Sequence, residues 1–212
     1  SQTLKSRGND SLAASTYDAF LKRSGTLDQN FSSSLDYMQI IAKNSDRIDL
    51  FAIPFNSDDI DFGTFVQDDS FYFSSSRSKG RTKIIDTWSS YPFLDIYEVK
   101  IKNDSFEFGK PRPIKGKVNA KYHESTPVIT KDGSTMYFTR TNTSPKIDRK
   151  NREIDHLKIY RATTVKGKWK QVEDLSINGD NYSSAHPVLS PDGNMLYFVS
   201  DMPGGFGETD IY

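Results

Sequence analysis

An internal repeat constrains the fold of this 212-residue chain more than any other feature. Residues 126–139 (TPVITKDGSTMYFT) align without a gap to residues 186–199 (HPVLSPDGNMLYFV), with six identities. A shorter, degenerate copy occupies residues 65–74 (FVQDDSFYFS). Repetition at this spacing is typical of proteins built from an array of similar structural units.

A second short element follows each copy. It reads LDIY at 94–97, LKIY at 157–160 and TDIY at 209–212. Asp-Gly pairs between apolar alternations indicate hairpins, and segments around Phe106, Phe108 and Trp169 are candidates for a fourth strand. Four antiparallel strands per unit is the layout of a β-propeller blade. We therefore predict a mainly β fold, with a partial β-propeller of three visible blades over residues 61–212, the third blade being incomplete.

The first 50 residues have a different, helical pattern. Two short apolar stripes at helical spacing, separated by Gly25 and Asn30, predict two helices packed as a hairpin. Residues 46–61 include five Asp residues and resemble a connector, and residues 51–60 are predicted to link this α-helical segment to the propeller. The stripes consist of Ala13, Tyr17, Phe20 and Leu21, then Leu35, Met38, Ile41 and Ala42.

Composition excludes several classes of function. Aromatic residues make up 13% of the chain while all hydrophobic residues reach only 35%, a balance that favours β-sheets over helical bundles. The formal net charge is zero, which argues against a nucleic-acid-binding protein. No apolar run approaches the ~18 residues of a membrane span. The absence of cysteine removes disulfides and thiolate metal sites.

The repeat resembles a known family. The segments 190–193 (SPDG), 196–198 (LYF) and 210–212 (DIY) resemble the WD40-like repeat of TolB-type propellers. Residues 200–212 (SDMPGGFGETDIY), 71–77 (FYFSSSR) and 122–127 (YHESTP) are similar to the propeller of OmpA-family envelope proteins from Bacteroidota. The resemblance covers roughly residues 44–212. That family combines a tetratricopeptide-like helical segment, a TolB-like propeller, a small β-sandwich and a C-terminal OmpA-like domain.

The resemblance implies a function as well as a fold. It implies a non-enzymatic scaffold in the periplasm, associated with the outer membrane, whose partners are other envelope proteins. Members include the PorE-type accessory protein of type IX secretion and gliding. Peptidoglycan would be bound only through an OmpA-like domain that these residues do not contain. Since a closed propeller needs at least four blades, we expect further chain or another subunit to cover the ends of the array.

Motifs for catalysis and for cofactor binding are absent from the sequence. There is no Gly-x-Ser-x-Gly elbow, no phosphate-binding loop and no His-Glu-x-x-His pair, so we predict neither an enzyme nor a cofactor. The histidines His123, His156 and His186 are scattered, and we predict no metal site. Asp132 and Asp192 are interpreted as turn residues that cap their own hairpins rather than as calcium ligands. The alternative function is an accessory substrate-binding propeller of a peptidase or other hydrolase, with catalysis in another domain.

Two basic loops are the candidate binding sites. Loops 76–93 and 141–155 are both predicted to connect the second and third strands of a blade, so they should project from the same face. The simpler interpretation is a pair of solvated loops, whereas the functional hypothesis is docking of a protein or, less favoured, of an anionic glycan. The candidate residues are Arg77, Lys79, Arg81, Lys83, Trp88, Tyr91, Lys146, Arg149 and Arg152.

Overall fold

The chain divides into two compact units, Ser1–Ala52 and Ile53–Tyr212. In the first unit, six positions between 11 and 22 are described; they are helical, and the hydroxyls of Ser15 and Thr16 donate hydrogen bonds to the Leu12 carbonyl. The two apolar stripes, and with them the predicted helical hairpin, lie outside the described residues. Beyond those six positions, the computed structural model describes residues 51–77, 85–86, 89–103, 107–141 and 156–212.

The second unit consists of antiparallel sheets. Sheet 1 pairs its strands in the order β1-β2-β3-β4, and its fifth strand also pairs with β3. Its strands are β1 (Asp61–Gln67), β2 (Ser70–Ser75), β3 (Asp95–Asn103), β4 (Glu107–Phe108) and β5 (Arg112–Pro113).

Two further sheets follow along the chain. Each pairs consecutive strands in sequence order, as the first four strands of sheet 1 do. Sheet 2 contains β6 (Glu124–Ile129), β7 (Thr135–Thr141), β8 (Leu157–Val165) and β9 (Lys168–Asp174). Sheet 3 contains β10 (Ser184–Leu189), β11 (Leu196–Ser200) and β12 (Asp210–Ile211). The predictions of a mainly β fold and of antiparallel strands are therefore confirmed.

The predicted strands fall where the repeat indicated. The two Asp-Gly turns join β6 to β7 and β10 to β11, and the fourth-strand candidates Phe108 and Trp169 lie in β4 and β9. A bulge interrupts the first strand of every sheet, and the residue at the bulge has a positive φ each time: Gly63, Thr126 and His186, at 64°, 46° and 55°. The three sheets thus share strand order, register and irregularities.

Neighbouring sheets pack face to face through a repeated contact. The N–H of Thr126 in β6 donates to Ser74 Oγ in sheet 1 (3.0 Å), and the N–H of His186 in β10 donates to Thr139 Oγ1 in sheet 2 (2.9 Å). Both donors sit at the first-strand bulge, where the distorted backbone turns its N–H away from its own ladder. A buried apolar cluster fills the junction between sheets 1 and 2: Ile96, Ile114, Val118, Ile129, Met136, Phe138 and Ala162.

A second buried cluster covers the other face of sheet 1. Phe55 is buried against Phe73, Tyr97 and Val99, and its ring centroid lies 5.3 Å from that of Phe73. Phe55 comes from the segment 51–60, which the sequence predicted to be a linker. From Ile53 onward that segment belongs to the second unit, because its aromatic side chain completes the core of the first sheet.

Candidate functional site: the loop end of the sheets

The loops that connect second and third strands all leave the second unit at one end. Gln67 Nε2, at the end of β1, donates to the carbonyls of Thr130 and Lys131 in the β6–β7 turn, so the turns of neighbouring sheets lie side by side. The connections 76–94, 142–156 and 201–209 therefore leave from the opposite end, which we call the loop end. The candidate site consists of the described residues of these connections.

Most of the predicted binding residues lie outside the part of the chain that the structure describes. Arg77 and Tyr91 are the exceptions. The others remain sequence-based predictions: Lys79, Arg81, Lys83, Trp88, Lys146, Arg149 and Arg152.

Arg77 does not project from the loop. Its Nη2 lies 2.7 Å from Asp61 Oδ1 and donates to the Phe55 carbonyl at 2.9 Å, and its side chain is only 14% exposed. The guanidinium also lies 4.9 Å from the centre of the Phe73 ring. An arginine whose donors and flat face are engaged within its own sheet has little left for a partner, so Arg77 is a structural residue rather than a docking residue.

Sheet 2 places an arginine in the same environment from a different sequence position. Arg140 Nε donates to Glu124 Oε1 at 2.9 Å, and its Nη2 donates to the Val118 carbonyl at 2.6 Å. Its guanidinium lies over the rings of Phe138 and Tyr160, at 5.2 and 4.9 Å. The acid, the carbonyl and the pair of aromatic rings around Arg140 occupy positions in sheet 2 that correspond to those of the groups that bind Arg77 in sheet 1. Sheets 1 and 2 therefore each contain an arginine, beneath the loop, that is bound by an acid, a backbone carbonyl and a pair of aromatic rings. We call this arrangement an arginine lock.

The acids of the two locks differ in electrostatics. Glu124 is completely buried, and burial raises its pKa to about 8, although the Arg140 charge and the Ala120 N–H oppose the rise. Burial also acts to raise the pKa of Asp61, but hydrogen bonds from Ser75, Arg77 and Ser57 outweigh it, and the net shift is downward. The sheet 1 lock is therefore the more firmly ionised of the two.

Tyr91 lies on a short turn that is anchored to the sheets. Ile85 bridges Pro92, the Asp86 N–H donates to the Tyr91 carbonyl at 2.9 Å, and Asp86 Oδ2 accepts from the Ser89 N–H at 2.9 Å. The Tyr91 side chain is 42% exposed. The turn consequently presents an aromatic ring to solvent from a hydrogen-bonded support, and the role of Tyr91 in binding stays a prediction.

His123 supports the base of that turn. Its Nδ1 accepts the Leu94 N–H at 3.1 Å, its Nε2 lies 3.8 Å from Asp86 Oδ2, and the Phe93 ring lies 4.6 Å away. Burial lowers its pKa, and the nearby Asp86 only partly compensates. Because Nδ1 accepts a hydrogen bond, the imidazole is neutral, with its proton on the nitrogen that faces Asp86.

The third loop, residues 201–209, displays a residue that the sequence analysis missed. Phe206 is fully exposed. A Cβ added to Gly205 would lie 2.0 Å from Asp210 Oδ2, and that same oxygen accepts the Gly207 N–H at 3.0 Å, so the glycines let the loop close tightly on Asp210. The sequence signal that could have identified Phe206 is an aromatic residue between two glycines, in a connection equivalent to loop 76–93.

The opposite end has no exposed aromatic loop of this kind among the described residues. Its turns are closed by Asp132 and Asp192, whose Oδ1 atoms accept the N–H of Ser134 (3.0 Å) and of Asn194 (3.1 Å), which confirms them as turn residues. The first strands of the three sheets line an open cavity of about 590 Å³ toward this end. Its walls are largely backbone and apolar side chains, with Gln67, Lys131 and His186 the longer polar groups.

The described residues were also compared with the requirements of metal sites and membrane spans. Among them, no three His, Cys, Asp or Glu side chains are grouped so as to hold a metal ion. None of the described helical residues belongs to a helix with the length and apolar character needed to cross a bilayer.

No protein-family model matches the chain, and no curated protein has a significantly similar sequence.

Proposed function

We propose that this chain is a non-enzymatic protein-interaction module of the cell envelope, and that its loop end binds another envelope protein. The observation that carries the proposal is the pair of exposed aromatic side chains, Tyr91 and Phe206, on anchored connections at one end of the sheets. Rigidly supported aromatic rings contribute most to protein interfaces, because they bury large area at small entropic cost.

The repeat supports the choice of family. Three sheets with the same strand order, the same first-strand bulge and the same inter-sheet hydrogen bond are what consecutive blades of a TolB-like β-propeller require. The motifs 190–193, 196–198 and 210–212 are the basis for proposing an OmpA-family protein with a tetratricopeptide-like helical segment. A periplasmic location at the outer membrane, and a link to type IX secretion or gliding, follow from that resemblance.

Site-specific photo-crosslinking in living cells tests the proposal. The photoreactive amino acid benzoylphenylalanine replaces Phe206 or Tyr91 in the chain, expressed in a Bacteroidota host that carries the gene. Met195 is the matched control position, because it is 55% exposed but lies in the β10–β11 turn, immediately before β11 begins at Leu196, at the turn end. Mass spectrometry identifies whatever protein is joined to the chain.

We expect Phe206 and Tyr91 to crosslink to the same envelope protein and Met195 not to do so. Equal crosslinking from all three positions, or none from the two loop positions, would contradict the proposed binding surface. Crosslinks to the catalytic domain of a peptidase would instead support the accessory-propeller function.

A further inference from the structure

The outer edge of sheet 2 brings four lysines together. The Lys117 N–H donates to the Trp169 carbonyl and the Trp169 N–H donates to the Lys115 carbonyl, both at 2.8 Å, so the backbone at Lys115 and Lys117 runs parallel to β9. In such a parallel bridge Lys115 lies beside Lys168, and Lys117 lies beside Lys170, on backbones about 4.8 Å apart. We call these four lysines the lysine patch.

The side chains of the lysine patch point away from the core. Ile114 and Val118 are buried in the cluster between sheets 1 and 2, and Trp169 packs against that cluster. Because side chains alternate along an extended backbone, the residues next to these three face the opposite way. All four lysines are accordingly exposed.

The outward position of the fourth strand is exposed in sheet 1 as well. Phe108 holds in sheet 1 the register position that Trp169 holds in sheet 2, so Glu107 corresponds to Lys168. Glu107 is exposed although sheet 2 follows sheet 1. A following sheet therefore does not cover this position, and the exposure of the lysine patch is a property of the outer edge itself.

The charge of the lysine patch is not neutralised within the described part of the chain. None of the four lysines forms an ion pair there, and Glu173, the nearest acid along β9, pairs with Arg161. Residues 109–123 and 165–172 together contain eight Lys or Arg residues and no Asp or Glu, although the whole chain has no net charge. Like charges side by side on neighbouring strands are destabilising, so an anionic partner would stabilise this edge.

An aliphatic side chain lies within the lysine patch. Val165 pairs with Lys168 across the antiparallel ladder, so their side chains share a face, and Val165 is 39% exposed. Lysines around an exposed aliphatic side chain are typical of surfaces that lie at a membrane interface. A soluble polyanion gives Val165 no apolar surroundings. Trp169 is turned into the core and offers no ring on which nucleic-acid bases could stack.

We propose that the lysine patch binds the surface of an anionic phospholipid bilayer. The lysines contact the lipid phosphate groups, for which their compact charges need no fixed geometry, and Val165 enters the boundary between head groups and acyl chains. The β8–β9 turn joins a third strand to a fourth, so this surface lies at the end of the sheets opposite the loop end. The proposal therefore does not rest on the protein-binding role of the loop end.

Co-sedimentation of the full chain with lipid vesicles tests the proposal. We expect binding to vesicles of phosphatidylcholine and phosphatidylglycerol in equal amounts, and none to vesicles of phosphatidylcholine alone. Lys168→Gln/Lys170→Gln should weaken the binding by about fivefold for each lysine removed. Lys102→Gln/Lys121→Gln is the matched control, because it removes the same charge from exposed positions outside the patch; it should change the binding by no more than about twofold.

Val165→Ser separates a bilayer from a soluble polyanion as the ligand. It should weaken vesicle binding by about threefold or more, because no aliphatic side chain then enters the boundary, and should leave binding to dextran sulfate unchanged. Circular dichroism checks that each variant is folded. Equal binding to the two kinds of vesicle, equal losses from the two lysine pairs, or vesicle binding that Val165→Ser leaves unchanged would each overturn the proposal.

Discussion

The arginine lock of sheet 2 is expected to contribute measurably to the stability of the second unit. In Arg140→Met the aliphatic stem is kept, but Glu124 loses the guanidinium 2.9 Å away and the Val118 carbonyl loses its donor at 2.6 Å. Glu124 is completely buried, and its remaining donor among the described residues is the Ala120 N–H. Because burial raises the pKa of Glu124 to about 8, much of this carboxyl group is already neutral at pH 8. The variant then loses two hydrogen bonds at buried groups, and we expect a loss of about 1–3 kcal/mol in the free energy of unfolding.

The loss should depend on pH in a defined direction. Removing the guanidinium raises the pKa of Glu124 further, so the loss should be nearly the same at pH 5 as at pH 8. It should grow above pH 8, where the carboxylate forms in the wild type but not in the variant. Urea denaturation at pH 5, at pH 8 and roughly one pH unit higher, followed by tryptophan fluorescence, measures the loss at each pH. The double variant Arg140→Met/Glu124→Gln should recover part of the loss at pH 8, because a glutamine, unlike the buried acid, takes up no proton on folding.

Arg161→Met is the matched control for this prediction. Arg161 is in the same sheet and pairs with Glu173, but both side chains are about half exposed, so the pair contributes at most about 1 kcal/mol. If Arg140→Met costs no more than Arg161→Met at pH 8, the account of the lock is wrong.

Three further predictions follow from the same contacts. The folded-state pKa of Glu124, about 8, lies above its ordinary value of 4.5, so folding takes up a proton at pH values between these two limits. The stability of the wild type should therefore fall more steeply with rising pH than that of Glu124→Gln, and urea titrations at several pH values measure this difference. Asn178→Ala should cost about 1–3 kcal/mol in such titrations, because two backbone groups of Ile159 lose their partner, while the exposed Asn181→Ala should cost almost nothing. Gly116→Ala should lower the melting temperature far more than Gly167→Ala: both glycines have positive φ, but a Cβ at Gly116 would lie 1.9 Å from the Trp169 carbonyl oxygen, whereas Gly167 has open space. Similar melting temperatures for the two glycine variants would show that the close approach is not sterically limiting.

The strands were predictable because their signals are local. Alternating apolar residues and the turns at Asp132 and Asp192 involve contacts within about ten residues, so sequence neighbours carry the information. The burial of Phe55 was not predictable in this way. It depends on Phe73 and Tyr97, which pairing between strands brings to the same place.

The arginine locks show why the candidate site was only partly predicted. Arg140 lies in β7, at the position that Ser75 holds in β2, while Arg77 lies two residues beyond Ser75. No alignment of the repeats matches the two arginines, although both guanidinium groups reach an acid and a Phe-Tyr pair. Arg77 therefore looked like one more cation of a basic loop. By contrast, Asn119 and Asn178, whose side chains accept the N–H groups of Ile96 and Ile159, each follow an aliphatic residue, and a search for that repeated dipeptide would have found them.

The central claim is that the loop end is the interaction surface. The most direct test is to measure how tightly the chain binds the partner protein that Phe206 crosslinks. Isothermal titration calorimetry should show Phe206→Ala and Tyr91→Ala each weakening the affinity by roughly tenfold or more, as expected for exposed aromatic anchors. Met195→Ala, at the turn end, should leave the affinity within a factor of about two, as interface-remote substitutions do. Equal affinities for wild type and both loop variants, or a loss confined to Met195→Ala, would contradict the account.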